Sequence, residues 1–210
     1  MGYPKIGKGR LEAFSDGVFA IAITLLILEI KVPEISSYQS QNDLWNGLAK
    51  LWPSYFAFLL SFAFVLTAWI CHHALFNLLE KMSPQFVYAN AFLLLNIVFL
   101  PFPTAILAKY VMSAYTQSAV VFYILCFFVT GISWNLLYYF SLKPKSLARD
   151  RRSAEVVVEM LKYARYALAL NLVITLVAWW FPRTAITLNA ILWVFWIWRS
   201  AAMLRKSRLP

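Results

Sequence analysis

Three stretches of this chain, Pro53–Leu79, Phe86–Ala108 and Thr116–Leu142, each run for more than twenty residues without one Asp, Glu, Lys or Arg. A helix needs about 20 mostly apolar residues to cross the ~30 Å hydrocarbon layer of a bilayer, at ~1.5 Å per residue. Only helices and closed barrels satisfy their backbone there, and barrel strands alternate apolar with polar residues. These stretches are continuous, so they predict helices. Water-soluble domains carry roughly 25% charged residues. This chain of 210 residues has 13% charged and 62% apolar residues, more apolar matter than a soluble core of its size can hide. The expected class is an all-α integral membrane protein.

Three further segments bring the expectation to six transmembrane helices in one unit spanning residues 1–210. The first helix runs from about Arg10 to Lys31 and stops before Pro33. The fifth covers about Tyr163 to Phe181, and the sixth about Arg183 to Leu204, whose uncharged part, Thr184 to Trp198, is the shortest. Pro53 suits the first turn of the second helix. Pro101 and Pro103 fall inside the third, where each removes a backbone donor and should kink or break it. Trp52, Trp179, Trp180, Trp196 and Trp198 lie near span ends, as interfacial anchors do. No internal repeat, low-complexity tract or soluble domain is readable.

The formal charge of +10 is placed to orient a membrane protein, not to bind nucleic acid. Lys5, Lys8, Arg10, Lys81, the stretch Lys143–Lys162 and the tail Arg205-Lys206-Arg208 fall on one side. Lys31, Lys50, Lys109 and Arg183 fall on the other, together with Glu34 and Asp43. With an even number of spans this predicts that both termini are cytoplasmic. The basic Lys143–Arg152 stretch reads as a loop that fixes topology, with lipid binding as the alternative. Cys71 and Cys126 sit within apolar segments, without motif spacing, and imply no disulfide. Basic residues precede the first apolar run, but no small-residue cleavage site follows, so it is read as a mature span.

The first helix carries polar groups where lipid penalises them. Its opening reads Arg10-Leu11-Glu12-Ala13-Phe14-Ser15-Asp16-Gly17. Asp16 lies about six residues inside the span, ~9 Å along the axis. A carboxylate there should face protein or water and have a partner. The second helix offers partners at the matching depth: Trp69, His73 and Asn77 recur every four residues, beside His72. A network of Arg10, Ser15, Asp16, Trp69 and a histidine would satisfy several polar groups at once. A proton relay through Asp16 and His72 or His73 is the alternative. Adjacent histidines point to different sides of a helix, and no further Cys or His supports a metal.

The element Arg10-Leu-Glu-Ala-Phe14-Ser15-Asp16-Gly-Val-Phe-Ala-Ile resembles the signature opening of the transmembrane protein 175 family of potassium channels. The likeness continues in Glu29-Ile-Lys-Val-Pro33, in Trp69 with His72 and His73, and in Leu100-Pro-Phe-Pro-Thr104. It covers the first half of the chain in detail and the second half by helix count. The match is to prokaryotic members with one six-helix unit. It implies a homotetramer in a prokaryotic plasma membrane, with membrane lipids and its own copies as partners. Potassium would be the permeating ion, with no cofactor, and the pore would be lined by the first helix of each subunit.

No Thr-Val-Gly-Tyr-Gly filter is present, so a carbonyl cage of that type is excluded. Ile23, Ile27 and Ile30, spaced by four and three, form one stripe. By spacing alone such a stripe faces lipid or packs, whereas the resemblance makes it line the pore, where four copies would stack into apolar rings. A ring that offers no replacement for hydration favours potassium, which loses water more easily than sodium, and it can close by dewetting. The family pattern puts the narrowest ring nine residues after Phe14, at Ile23, with Thr24 as a supporting position. Asp16 precedes Ile23 by seven residues, only ~20° off the same stripe. It therefore faces either the second helix or the mouth of a pore. A proton-coupled secondary transporter using Asp16 and His73 is the other class of function. It is disfavoured by the lack of inverted repeats. Neither a nucleophile–base arrangement nor a metal cluster supports an enzyme.

Overall fold

The computed structural model describes residues 7–33, 41–143 and 145–206, the side chains of residues 195 and 197–206 excepted. Lys5, Glu34, Arg208 and the side chains of Trp198, Leu204, Arg205 and Lys206, all named above, lie outside this description. The described residues form the helices α1 (Lys8–Leu25), α2 (Gln41–Lys50), α3 (Trp52–Leu78) and α4 (Pro84–Phe99). They continue with α5 (Pro101–Tyr110), α6 (Thr116–Leu142), α7 (Arg151–Trp180) and α8 (Pro182–Lys206). Five helical stretches are long and apolar enough to cross a membrane: Lys8–Glu29, Trp52–Leu78, Pro84–Tyr110, Thr116–Leu142 and Arg151–Trp180. The last helix, α8, is 25 residues long.

The structure corrects the expected boundaries in three places and shows the expected proline break in a fourth. The first helix does not stay α-helical to Lys31. It tightens after Leu25 into a 3-10 turn over Leu26–Glu29. The third expected helix breaks at Leu100 into α4 and α5, because Pro101 and Pro103 bring no N–H to the ladder. The fifth begins at Arg151 instead of Tyr163, so most of the expected Lys143–Lys162 loop is helix. Asp150 caps that start, accepting the Ser153 backbone N–H at 2.7 Å, and Val157, Met160 and Leu161 bury its inner face. Finally, α2 adds a short helix with no buried residue.

α1 packs on α3 and α4, α6 pairs along its length with α7, and α8 lies against α3, α6 and α7. Buried alanines at 22, 57, 119, 178 and 185 let backbones approach closely, the usual way helices associate in lipid. The core continues through Phe64, Phe127 and Trp193, with Phe64 edge-on to both partners at 4.6 Å between ring centres. The turn after α3 is stitched to the segment before α7. Glu80 N–H donates to the Leu147 carbonyl and Arg149 N–H to the Leu78 carbonyl, both at 2.9 Å. Lys8 donates to the Leu79 carbonyl, also at 2.9 Å, so α1 starts at the same seam. At the opposite end the Gln117 amide donates to the Trp179 carbonyl.

Candidate functional site: the face of α1 and its anchor

Helix α1 has two faces because its apolar residues are not evenly set. Leu11, Ser15, Phe19 and Ala22, at spacings of four and three, turn inward and are buried, and Leu26 continues them in the 3-10 turn. On the other side Phe14, Ile21, Ile27 and Leu28 are between 53% and 63% exposed. For one chain alone this is a long apolar surface without a partner.

The inward face is pinned by a buried polar chain. Ser15 donates to the Leu11 carbonyl at 2.8 Å and accepts from the Asn90 amide at 3.0 Å. The Asn90 side-chain oxygen is 2.8 Å from His72 Nε2. An amide oxygen only accepts, so His72 donates through Nε2, which fixes its neutral tautomer. Ser15, Asn90 and His72 have no exposed surface. The His72 ring stacks on Phe76 with centres 4.3 Å apart and tilts against Phe19 at 5.3 Å. One residue from each of α1, α3 and α4 thus closes a connection in which every hydrogen bond excludes water.

A second, wetter layer lies beside it. The Trp69 indole donates to an Asp16 carboxylate oxygen at 2.9 Å and stacks on His73. His73 Nδ1 lies 3.5 Å from a Glu12 carboxylate oxygen. Asp16 is half-buried, so its carboxylate is held on one side by α3 and open on the other. Arg10, Phe14 and Asn77 are exposed, and the structure gives Arg10 and Asn77 no side-chain bond among the described residues. The structure therefore joins Ser15 to His72 through Asn90 and bonds Asp16 directly to Trp69, while His73, stacked on Trp69, faces Glu12. A polar Asn inside an otherwise apolar span was the readable signal for Asn90. Glu12 stood inside the motif itself.

Further along α1, Ile23 is half-buried and packed against the core, whereas Ile27 is 53% exposed. Ile30 is half-buried, and exposed Thr24 donates to the Ile21 carbonyl at 2.8 Å. The 3-10 turn changes their phase. A turn of roughly three residues rotates each step about 20° more than an α-helix does, and side chains three apart eclipse. Ile27 therefore swings outward from the phase set by Ile23, while Ile30, just past the turn in extended backbone, is half-buried. Among the described residues no group of three or more His, Cys, Asp or Glu could hold a metal. What the arrangement offers is an apolar helix face held in fixed rotation.

The fold and this anchored helix define a polytopic helical membrane protein, and the comparisons place it among channels. The family model for the endosomal/lysosomal potassium channel TMEM175 matches residues 10–101. A potassium channel of Chamaesiphon minutus is 42% identical over 165 residues, which are 79% of this chain and 81% of that protein. One from Streptomyces collinus is 45% identical over 103 residues, 49% of this chain and 48% of that one. The solved structure of a lysosomal potassium-selective channel TMEM175 homologue from Chamaesiphon minutus superposes with a TM-score of 0.82 at 37% identity. It covers 92% of this chain and 97% of that one. The chain belongs to the TMEM175 family, which is a family of channels and not of enzymes.

Proposed function

We propose that the chain is a potassium-permeable, moderately selective cation channel. It acts as a homotetramer in a prokaryotic plasma membrane, with six spans per chain, α8 being the sixth, and both termini cytoplasmic. The reading rests on one observation above the others. α1 presents an apolar face that its own chain leaves uncovered, while the opposite face is fixed by Ser15, Asn90 and His72. One pore helix per chain requires several chains around an axis to enclose a path. The names of the bacterial relatives, potassium channels, support the choice of ion, whereas vertebrate relatives matched over less than half of this chain are named proton channels.

In this reading Ile23, Ile27 and Ile30 form stacked rings, with Ile23 the narrowest and Thr24 behind it. An ion passing them must shed water without receiving ligands in return, which costs sodium more than potassium, and the rings close by dewetting. Asp16, open on one side, adds negative potential at the cytoplasmic mouth. The proton-coupled transporter, which would use Asp16 and His73, finds less support, because the sequence carries no inverted repeat. The test is current across liposomes holding the purified protein, with potassium on one side and sodium on the other. A reversal potential displaced toward potassium, without any counter-ion requirement, is expected. Saturable, proton-linked uptake without current would overturn the channel.

A further inference from the structure

Away from α1, residues of α3, α6, α7 and α8 line a half-open cavity of about 100 Å³. It arises because small residues stand where large ones would close the bundle: Ala68 on α3, Gly131 on α6, Ala164 and Ala167 on α7. Phe64, Phe127 and Trp193 roof one end with their edge-to-face cluster. The walls are otherwise aromatic and aliphatic, apart from a few polar atoms. Thr67 and Thr130 spend their hydroxyls on the carbonyls of Ala63 and Cys126, one turn back along their own helices.

Asn171 is different. Its residue is 6% exposed and lines the cavity. The amide nitrogen donates to the Ala167 carbonyl at 3.0 Å, which fixes its orientation, and its side-chain oxygen meets no donor among the described residues. A buried acceptor left without a donor is costly and is rare in folded proteins. Here it faces a space of the right size for a donor-bearing guest. An apolar protein cavity of roughly 150 Å³ takes up a benzene ring. At about 100 Å³ and open on one side, this one takes the body of one small ring, its far edge at the opening, or a short branched chain.

We propose that this intrabundle cavity is a binding site for a small neutral amphiphile of the phenol or alcohol class. The apolar body packs between Ala164 and the Phe64–Phe127–Trp193 cluster, and its single hydroxyl donates to the Asn171 oxygen. The site is independent of the permeation path proposed above, because none of its walls belongs to α1.

The probes are para-fluorophenol and para-fluorotoluene, nearly equal in shape and differing in the hydroxyl, followed by fluorine NMR on the full-length protein in lipid nanodiscs. Wild type is expected to bind the phenol about five- to tenfold more tightly than the toluene, the worth of one net hydrogen bond. Asn171→Leu should erase that preference while still binding the toluene. Ala164→Met, which fills the cavity, should release both probes. Binding of the toluene by Asn171→Leu also reports that this variant keeps the cavity. If Ala164→Met bound both probes as wild type does, the signal would be partition into lipid and the site would be refuted. A phenol preference that survives Asn171→Leu would equally overturn the assignment.

Discussion

Asn90 joins three helices with one side chain. Its amide gives to Ser15 and its oxygen takes from His72, both buried. Asn90→Leu removes both partners at once and leaves the His72 Nε2 proton without an acceptor, a loss of roughly 1–3 kcal/mol. Thermal unfolding in detergent should detect it as a lowered midpoint. Trp69→Phe breaks only the wetter bond to Asp16 and should shift the midpoint much less. An equal loss in both variants would mean that the two layers act as one. Ile23 belongs at the same level. Ile23→Asn introduces a group that can hydrate or ligate an ion, so the potassium-to-sodium permeability ratio should fall toward one with current preserved. Mixed-ion reversal potentials check this, and an unchanged ratio would move the constriction away from Ile23. These single positions were readable where chemistry was out of place for lipid, as with Asp16 and the paired histidines. Which atoms they would meet was not, since the sequence does not say that α4 brings Asn90 between them.

Helix ends and breaks carry the next set of consequences. The cap of α7 depends on Asp150, whose pKa is held below the usual carboxylate value by the Ser153 backbone N–H and then by Arg149. Because folding lowers that pKa, the cap contributes fully above the ordinary carboxylate range and fades as pH falls through the lowered value. Hydrogen-exchange protection factors at residues 153–156, that is, exchange rates corrected for their intrinsic pH dependence, should therefore fall at acidic pH. Asp150→Asn, still a good cap, should make those protection factors insensitive to pH. The break at Leu100 is secured differently. Thr104 donates to the Leu100 carbonyl, and Ser61 bridges Thr104 and Tyr123 at 2.7 and 2.8 Å, tying α5 to α3 and α6. Tyr123→Phe removes one bond of that bridge and should cost about 1 kcal/mol, measured by unfolding in a mixed micelle. The proline pair made this break readable in advance. The 3-10 turn at Leu26–Glu29 was not, because no Pro, Gly or capping residue marks it. The early start of α7 was hidden too: hydropathy falls across Arg151–Lys162, and a charged helical end looks like a loop to a search for apolar runs.

For the assembled protein, the long apolar stretches were enough to fix an all-helical membrane fold, since lipid leaves a chain so few ways to satisfy its backbone. The shared environment of α3, α6, α7 and α8 was not available from any single stretch. It depends on which helices meet, and periodicity within a helix that is apolar all round does not report that. The number of copies is likewise a property of surfaces. The exposed Phe14, Ile21, Ile27 and Leu28 form a strip that neighbouring copies would cover in a closed ring. Chemical cross-linking in nanodiscs, titrated to completion, should yield a ladder ending at four. A ladder ending at two would refute the ring.

The seam between Leu78–Glu80 and Leu147–Arg149 bears on where a foreign segment can be grafted. Its two turns are not independent loops, because each supplies the other's backbone partners. A fluorescent domain or affinity tag spliced into either one would have to break bonds in both, and would disturb the Lys8 contact with α1 as well. The turn at Met112–Tyr115 is exposed and its bonds are local, from Ser113 to Tyr110 and from Thr116 to Ser113. Labels for imaging or purification belong there.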